Sequence, residues 1–317
     1  MNVSGASRRR FLMLGPATGW HAEQLRGAAA RQGYDLDIAS YESISASLSE
    51  CTSPDCPSDT SGVALSCESG SLSNYAAILT RTMASGTFER ITFRLAALHA
   101  IADRLVDRPI AIVNPPRSLE WSIDKFAALA RLSSAGYPTP PTRIVQSRSE
   151  AMQAFEELGA DCVVKPIFGG EGRGVMRISD PQLAWYSFSA LDQLGAVMQV
   201  QSFIAPGGRD TRLLVVGDHV FGVRRCNTNS FRSNVSAGAQ CKPLEVDREL
   251  YVTAKRIVER FGLVFASVDL IDNDHGPPMF LEVNAIPGWK GAQNVIDHSI
   301  ADCVIETLAT QSDKVDG

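Results

Sequence analysis

The sequence predicts an α/β protein, and three observations carry that prediction. In the first 116 residues, short apolar runs alternate with amphipathic helical segments, the pattern of a βαβ layer. The C-terminal third alternates strand patterns with one strongly amphipathic helix. With 317 residues, 44% of them hydrophobic and 21% charged, the chain can bury a large core and is too apolar to be disordered. Its length suggests about two domains, or one built from several subdomains.

The elements follow in order. Residues 11–14 read as a buried strand, followed by a helix over 20–32 that carries Ala22, Leu25 and Ala29 on one face and closes at Gly33. A second strand spans 34–39. Residues 45–74, rich in Ser, Pro and Asp, read as a surface insertion with little apolar area to bury, dispensable for folding. Strands at 76–80 and 110–113 flank a helix over 93–105. Beyond Asn114-Pro115-Pro116 come a helix at 123–135 and strands at 142–145 and 162–165. Asp180-Pro181 starts another helix, with a capping acid before a proline suited to the first turn. Further strands fall at 213–216, 219–224, 265–271 and 279–283. The helix after Asp247 keeps Leu250, Ala254, Ile257, Val258 and Phe261 at helical spacing and stops at Gly262.

Composition excludes several roles. Lys+Arg of 30 against Asp+Glu of 35 gives a net charge of −5, with no long-range attraction to nucleic acid or anionic lipid. No stretch approaches the roughly 18 apolar residues that span a bilayer. Ser7-Arg8-Arg9-Arg10-Phe11-Leu12 looks like a twin-arginine export signal, but its apolar run ends at Gly15-Pro16 and meets His21 and Glu23. A basic leader entering a first strand, in a cytoplasmic protein, is the expectation. Seven cysteines without a C-x-x-C pair suit reduced thiols, with a disulfide among Cys51, Cys56 and Cys67 left open.

Three clusters could carry chemistry. Val163-Val164-Lys165-Pro166 delivers a lysine to a strand end, and Gly169, Gly170, Gly172 and Gly174 follow in a loop whose bare backbone can approach a polyphosphate. A P-loop is excluded because the lysine precedes the glycines, and a dinucleotide fingerprint because a strand pattern follows them. An ordinary glycine-rich hairpin would use the same residues. In Phe280-Leu281-Glu282-Val283-Asn284, alternation puts Glu282 and Asn284 on one face, and Asp269 lies in the preceding apolar strand. If those strands pair, three hard oxygen ligands converge as Mg²⁺ requires; otherwise the face is merely solvated. Arg209, Asp210, Arg212, Arg224, Arg225 and Arg232 form a basic region suited to carboxylate or phosphate.

In order, Asp124-Lys125, Val164-Lys165-Pro166, the glycine loop, Val200-Gln201-Ser202-Phe203-Ile204, Asp210-Thr211-Arg212, Phe231-Arg232-Ser233-Asn234, Val268-Asp269-Leu270 and Glu282-Val283-Asn284 with Pro287-Gly288 resemble the RimK-type glutamate ligases of the ATP-grasp superfamily. The resemblance covers about residues 75–305. It implies an α/β protein of the α+β ATP-grasp type, with an N-terminal layer over 1–116, two nucleotide-enclosing subdomains over 117–200 and 201–311, and a tail over 312–317. It also implies an ATP-dependent carboxylate–amine ligase working through an acyl phosphate. Lys125 and Lys165 would contact phosphates, Gly169, Gly170, Gly172 and Gly174 would close over them, and Gln201, Ser202, Phe203 and Ile204 would read adenine. Asp210 would hold the ribose. Asp269, Glu282 and Asn284 would bind two Mg²⁺, with Mn²⁺ as a substitute, and Arg212, Arg225, Arg232 and Asn234 would face the γ-phosphate and the amino acid. Ser202 departs from the acid usual in relatives, and weaker nucleotide affinity is the expected effect.

The stretch from Thr80 to Phe88, with Phe93-Arg94-Leu95 and Asn114-Pro115-Pro116-Arg117, is similar to the subgroup linked to tetrahydromethanopterin and methylofuran cofactor biosynthesis. That implies addition of L-glutamate to a carboxylate-bearing pterin or furan acceptor. Glutamylation of a protein C-terminus and a catalytically silent nucleotide-binding regulator are the alternatives. No nucleic-acid or membrane partner is expected, and homo-oligomerisation stays open.

Overall fold

In the first strand, β1 (Arg10–Leu14), the run from Phe11 to Leu14 is continuously apolar because both of its faces are covered. A computed structural model of the chain describes residues 8–48, 62–106, 108–170 and 172–316. Parallel pairing places β1 between β2 (Asp35–Ala39) and β6 (Ala77–Thr80), and β7 (Ala111–Val113) extends the sheet beyond β6. Helices α1 (Trp20–Arg31) and α2 (Phe88–Ala102) complete this βαβ layer. The second helix starts before its expected position because the Thr87 side chain caps it, accepting from the Arg90 N–H.

The expected insertion at 45–74 is corrected by the fold. Strands β3 (Ser45–Leu48), β4 (Val63–Cys67) and β5 (Gly70–Ser71) form a small antiparallel sheet. Leu65, Leu72 and the adjacent Tyr75 are buried in the same core as Leu12 and Ile78. Average composition concealed a few well-placed apolar side chains. Residues 49–61, and with them Cys51 and Cys56, lie outside the described residues; Cys67 is a free thiol.

A single helix was expected at 123–135, but two are present, α3 (Pro116–Ile123) and α4 (Lys125–Ser134). Asp124 separates them, ending the first and capping the second by accepting from the N–H groups of Phe126 and Ala127. This break makes Lys125 the first residue of α4. A separate lobe follows, with an antiparallel sheet of β8 (Thr142–Val145), β9 (Cys162–Pro166), β10 (Met176–Ile178) and β11 (Met198–Ser202) in the order β10-β9-β11-β8. It packs on α5 (Arg148–Glu157) and α6 (Pro181–Gln193) through its own core, which includes Phe155, Val164, Phe188 and Val200.

The largest sheet is antiparallel, ordered β14-β13-β12-β15-β16, from β12 (Arg209–Val216), β13 (His219–Cys226), β14 (Gln240–Leu244), β15 (Phe265–Ile271) and β16 (Met279–Asn284). It is covered on both faces. Leu213, Val215 and Val268 share one core with α7 (Arg248–Arg260), and Leu214, Val216 and Phe265 share the other with α1. After the short α8 (Lys290–Gln293), α9 (Ile300–Asp316) completes the second core. The expected tail at 312–317 is likewise corrected: α9 continues to Asp316, and buried Ser312 accepts a hydrogen bond from Arg9 at 3.0 Å.

Leu72 provides a test of the corrected segment. Leu72→Ala is expected to lower stability by about 2–5 kcal/mol in urea unfolding, the range for truncating a buried leucine. An unchanged midpoint would restore the dispensable insertion.

Candidate functional site

The floor of the site is the large sheet. Alternate positions of β12 share a face, apolar at Leu214 and Val216 and charged at Asp210 and Arg212. Strand register puts Asp210 opposite Arg225, Arg212 opposite Asp269, and Asp269 opposite Glu282. Arg212 grips both oxygens of Asp269, at 2.8 and 2.6 Å. Arg225 donates to Asp210 Oδ1 at 2.7 Å and reaches across to Asp269 Oδ2 at 2.8 Å. The Ser233 hydroxyl donates to Asp210. Asp210 and Asp269 are each 1% exposed, so these pairings, rather than water, satisfy their charge.

The electrostatics follow from that packing. Burial alone would raise the Asp269 carboxyl, but Arg212 and Arg225 outweigh it and hold it well below the usual carboxylate range. The Glu282 carboxyl is pushed up by desolvation in the cleft and by Asp269 beside it. Arg212 lies 3.9 Å from Glu282, which makes no hydrogen bond among the described residues.

The roof comes from the smaller lobe. Lys165 Nζ donates to Gln201 Oε1 at 2.8 Å, and Gln201 Nε2 donates to Thr142 Oγ1 at 2.8 Å. Burial brings the Lys165 ammonium down to about 8, against the pull of Glu282, with Lys125 adding to the fall. Lys125 Nζ donates to the Gly169 carbonyl at 2.8 Å. Gly172 has φ +73°, a left-handed conformation that favours glycine, and a Cβ there would stand 2.6 Å from Asn234 Oδ1. Arg232 donates to the Gly172 carbonyl at 3.3 Å. The glycine loop thus rests on the Arg232-Ser233-Asn234 turn.

Between roof and floor lies one cleft. Its walls include Lys125, Lys165, Gly169, Gly170, Gly172, the run Gln201-Ser202-Phe203-Ile204, Asp210, Arg225, Arg232, Asn234, Asp269 and Glu282. Gly174, Arg212 and Asn284 are not among them. Gly174 lies against Pro166, Arg212 is turned to Asp269 and the Gly288 carbonyl, and Asn284 Oδ1 accepts from the Ile286 N–H at 2.9 Å. Asp210, expected at a ribose, has both oxygens engaged by Arg225 and Ser233. Arg212 and Arg225, expected at the γ-phosphate and the amino acid, are engaged by carboxylates. Ser233 and Arg173 also line the cleft. Both lie inside motifs read from the sequence, but a hydroxyl between charged neighbours and an arginine between glycines gave no separate signal.

The acids fit a hard cation. Asp269 and Glu282 face each other in register, and Asn284, two residues along, shares the Glu282 face. Oxygen donors of this kind suit Mg²⁺, and Glu282 offers the freer carboxylate.

Residues 122–308 match the family model of the RimK-like ATP-grasp domain. The chain belongs to the RimK-like ATP-grasp family. This RimK-like ligase is 26% identical to the tetrahydromethanopterin:alpha-L-glutamate ligase of Methanosarcina acetivorans, over 91% of this chain and 95% of that one. It is 29% identical to the "probable alpha-L-glutamate ligase" of Rhodopirellula baltica, over 76% of this chain and 58% of that protein's length. In fold it resembles the ATP-grasp ligase PsnB, solved with a minimal precursor, Mg and ADP, with a TM-score of 0.71 at 19% identity over 98% of this chain and 100% of that one. No helix of the described residues is long and apolar enough to cross a membrane.

Arg225→Met removes the cation shared by two buried acids. It is expected to destabilise the RimK-like fold by about 3–5 kcal/mol at neutral pH, the cost of leaving a buried charge without its partner. Because Asp269 titrates lower in the folded chain than in the unfolded one, its stabilising effect is present at neutral pH and is lost as pH falls through the folded value. The acid-unfolding midpoint followed by circular dichroism should therefore move to higher pH in the variant. An unmoved midpoint would mean that Arg225 does not hold Asp269.

Proposed function

We propose that this ligase joins the amine of L-glutamate to a carboxylate of a small pterin- or furan-type cofactor in the cytoplasm, converting ATP to ADP and phosphate. The observation that carries this reading is the match to the tetrahydromethanopterin ligase, which runs through nearly all of both chains and includes the N-terminal layer.

The residues divide the work. A carboxylate is a poor electrophile, so its oxygen first attacks the γ-phosphorus, releasing ADP and leaving an acyl phosphate. The glutamate amine then attacks the acyl carbon, phosphate departs, and the amine proton passes to solvent or phosphate. These steps need positioning and charge neutralisation more than a protein nucleophile. Lys125 and Lys165, both in the cleft wall, serve the phosphates, and the glycine loop closes over them. The Gln201 to Ile204 backbone serves adenine. Asp269 and Glu282 would hold Mg²⁺, joined by Asn284 once its Oδ1 is released from the Ile286 N–H, and the ion would neutralise phosphate charge. Arg212 and Arg225 set Asp269 in place, while Arg232 and Asn234 face the reacting groups. Residues 1–116 form the N-terminal layer, and 117–200 and 201–311, whose boundary falls within β11, enclose the nucleotide.

The test is direct. The chain is incubated with ATP, Mg²⁺, L-glutamate and a pool of reduced pterins, and products are weighed by mass spectrometry. An increment of one glutamyl unit on a pterin, with ADP release dependent on both substrates, is expected. ADP release from ATP alone would overturn the ligase reading, and transfer only to a peptide tail would overturn the choice of acceptor. In the same assay Glu282→Gln should lower the rate steeply and raise the Mg²⁺ requirement, since it removes a charge from a hard-cation site. An unchanged Mg²⁺ curve would remove Glu282 from the site.

A further inference from the structure

Away from the cleft, His219, His298 and Cys303 converge, with one ligand atom from each all lying within 4.8 Å of one another. Both imidazoles are exposed and the thiol is buried. The three residues come from different elements, the start of β13, the loop before α9 and the first turns of α9. They are not neighbours by sequence accident.

Each backbone is held. The turn before His219 is clamped from α7, where Lys255 Nζ donates to the Gly217 carbonyl at 2.8 Å and the Tyr251 hydroxyl donates to the Asp218 carbonyl at 2.9 Å. Gly217 has φ +56°, and a Cβ there would lie 2.8 Å from Thr307 Oγ1, so the turn sits directly on α9. Thr307 in turn donates to the Cys303 carbonyl at 2.7 Å. The His298 carbonyl accepts from Gln293 Nε2 at 2.9 Å, and Gln293 Oε1 accepts from the Ile300 N–H at 2.9 Å. The His219 ring stacks on Phe221 at 5.9 Å, and His298 lies 5.5 Å from His219 between ring centroids. Donors on braced elements are what a metal site requires.

We propose that His219, His298 and Cys303 form a second metal site, selective for Zn²⁺ or a similar borderline ion, with water in the remaining position. Two imidazoles and a thiolate are the donors such ions prefer, whereas Mg²⁺ selects the oxygens of the cleft. Around zinc, neighbouring donors sit roughly 3.5 Å apart, so the cluster must contract by about 1 Å. Rotation of the two exposed imidazoles supplies that movement, and Cys303 stays where it is. Binding expels the thiol proton to solvent, and the ion staples the β12–β13 turn to α9.

Cobalt makes the thiolate contact visible. The full chain, stripped with chelator and held in saturating Mg²⁺, is titrated with Co²⁺ and then with Zn²⁺. The expected result is one equivalent of Co²⁺ with a thiolate-to-cobalt charge-transfer band that Zn²⁺ abolishes. Cys303→Ser should lose the band. His219→Ala, a change at an exposed residue that leaves the core intact, should weaken Co²⁺ binding at least about tenfold. A wild-type chain without the band, a band that survives in Cys303→Ser, or unaltered affinity in His219→Ala would each overturn the proposal.

Discussion

A chain of alternating charges, Asp210, Arg225, Asp269 and Arg212, lies across three adjacent strands of the large sheet, and the rest of the site is arranged around it. None of these groups could be buried alone, since an isolated charge in an apolar interior carries a penalty of several kcal/mol. Register solves the problem by placing each acid opposite an arginine. The same register brings Glu282 beside Asp269 with no arginine of its own in direct contact. One carboxylate is thereby neutralised and fixed, and its neighbour is left available in the cleft. That difference in environment makes two acids on adjacent strands chemically unequal.

The floor is anchored from the N-terminal layer. The Asn114 amide donates to the carbonyls of Phe265 and Ala285 at 2.6 and 2.8 Å, while its oxygen accepts from the N–H groups of Val264 and Phe265. One buried side chain thus pins the start of β15 and the residue just after β16 to the end of β7. Arg81, also buried, donates to the Pro287 carbonyl at 3.0 Å and stacks over Trp289 at 4.7 Å. Burial lowers its guanidinium to about 10, and the aromatic face and carbonyl stand in for a counter-ion. The Trp289 backbone N–H donates to His21 Nε2, whose imidazole burial and Arg81 together lower to about 4, keeping it a neutral acceptor. The loop after Asn284 is therefore held by the βαβ layer, which couples that layer to the cleft.

The roof is tied differently. Its lobe has a separate core, and its polar ties across the cleft include Arg232 on the Gly172 carbonyl. Within the roof, Lys165 is aimed by Gln201, and Gln201 by Thr142, a relay of neutral groups that leaves the lysine's charge uncompensated by a direct carboxylate partner among the described residues. A half-buried cation in this condition has a reduced ammonium pKa and a strong preference for an anionic ligand.

The strands and helices were largely legible in the sequence because apolar periodicity is a local property: 11–14, 142–145 and 265–271 lie within a residue of their observed bounds. The order of motifs along the chain was legible for the same reason, and it carried the family. Segment 45–74 was misread because its mean composition hides Leu65 and Leu72, whose burial depends on partners elsewhere in the chain. The Asp124 break needed cap geometry to be seen. What only the tertiary structure decided is which partner each charged side chain meets. Sequence spacing put Asp210 and Arg212 on one face, but cross-strand register assigned Arg212 to Asp269 and Arg225 to both acids. Register is set by packing between strands distant in sequence, so a single chain read in order specifies the elements and their chemistry while the pairing of charges emerges only when the sheet closes.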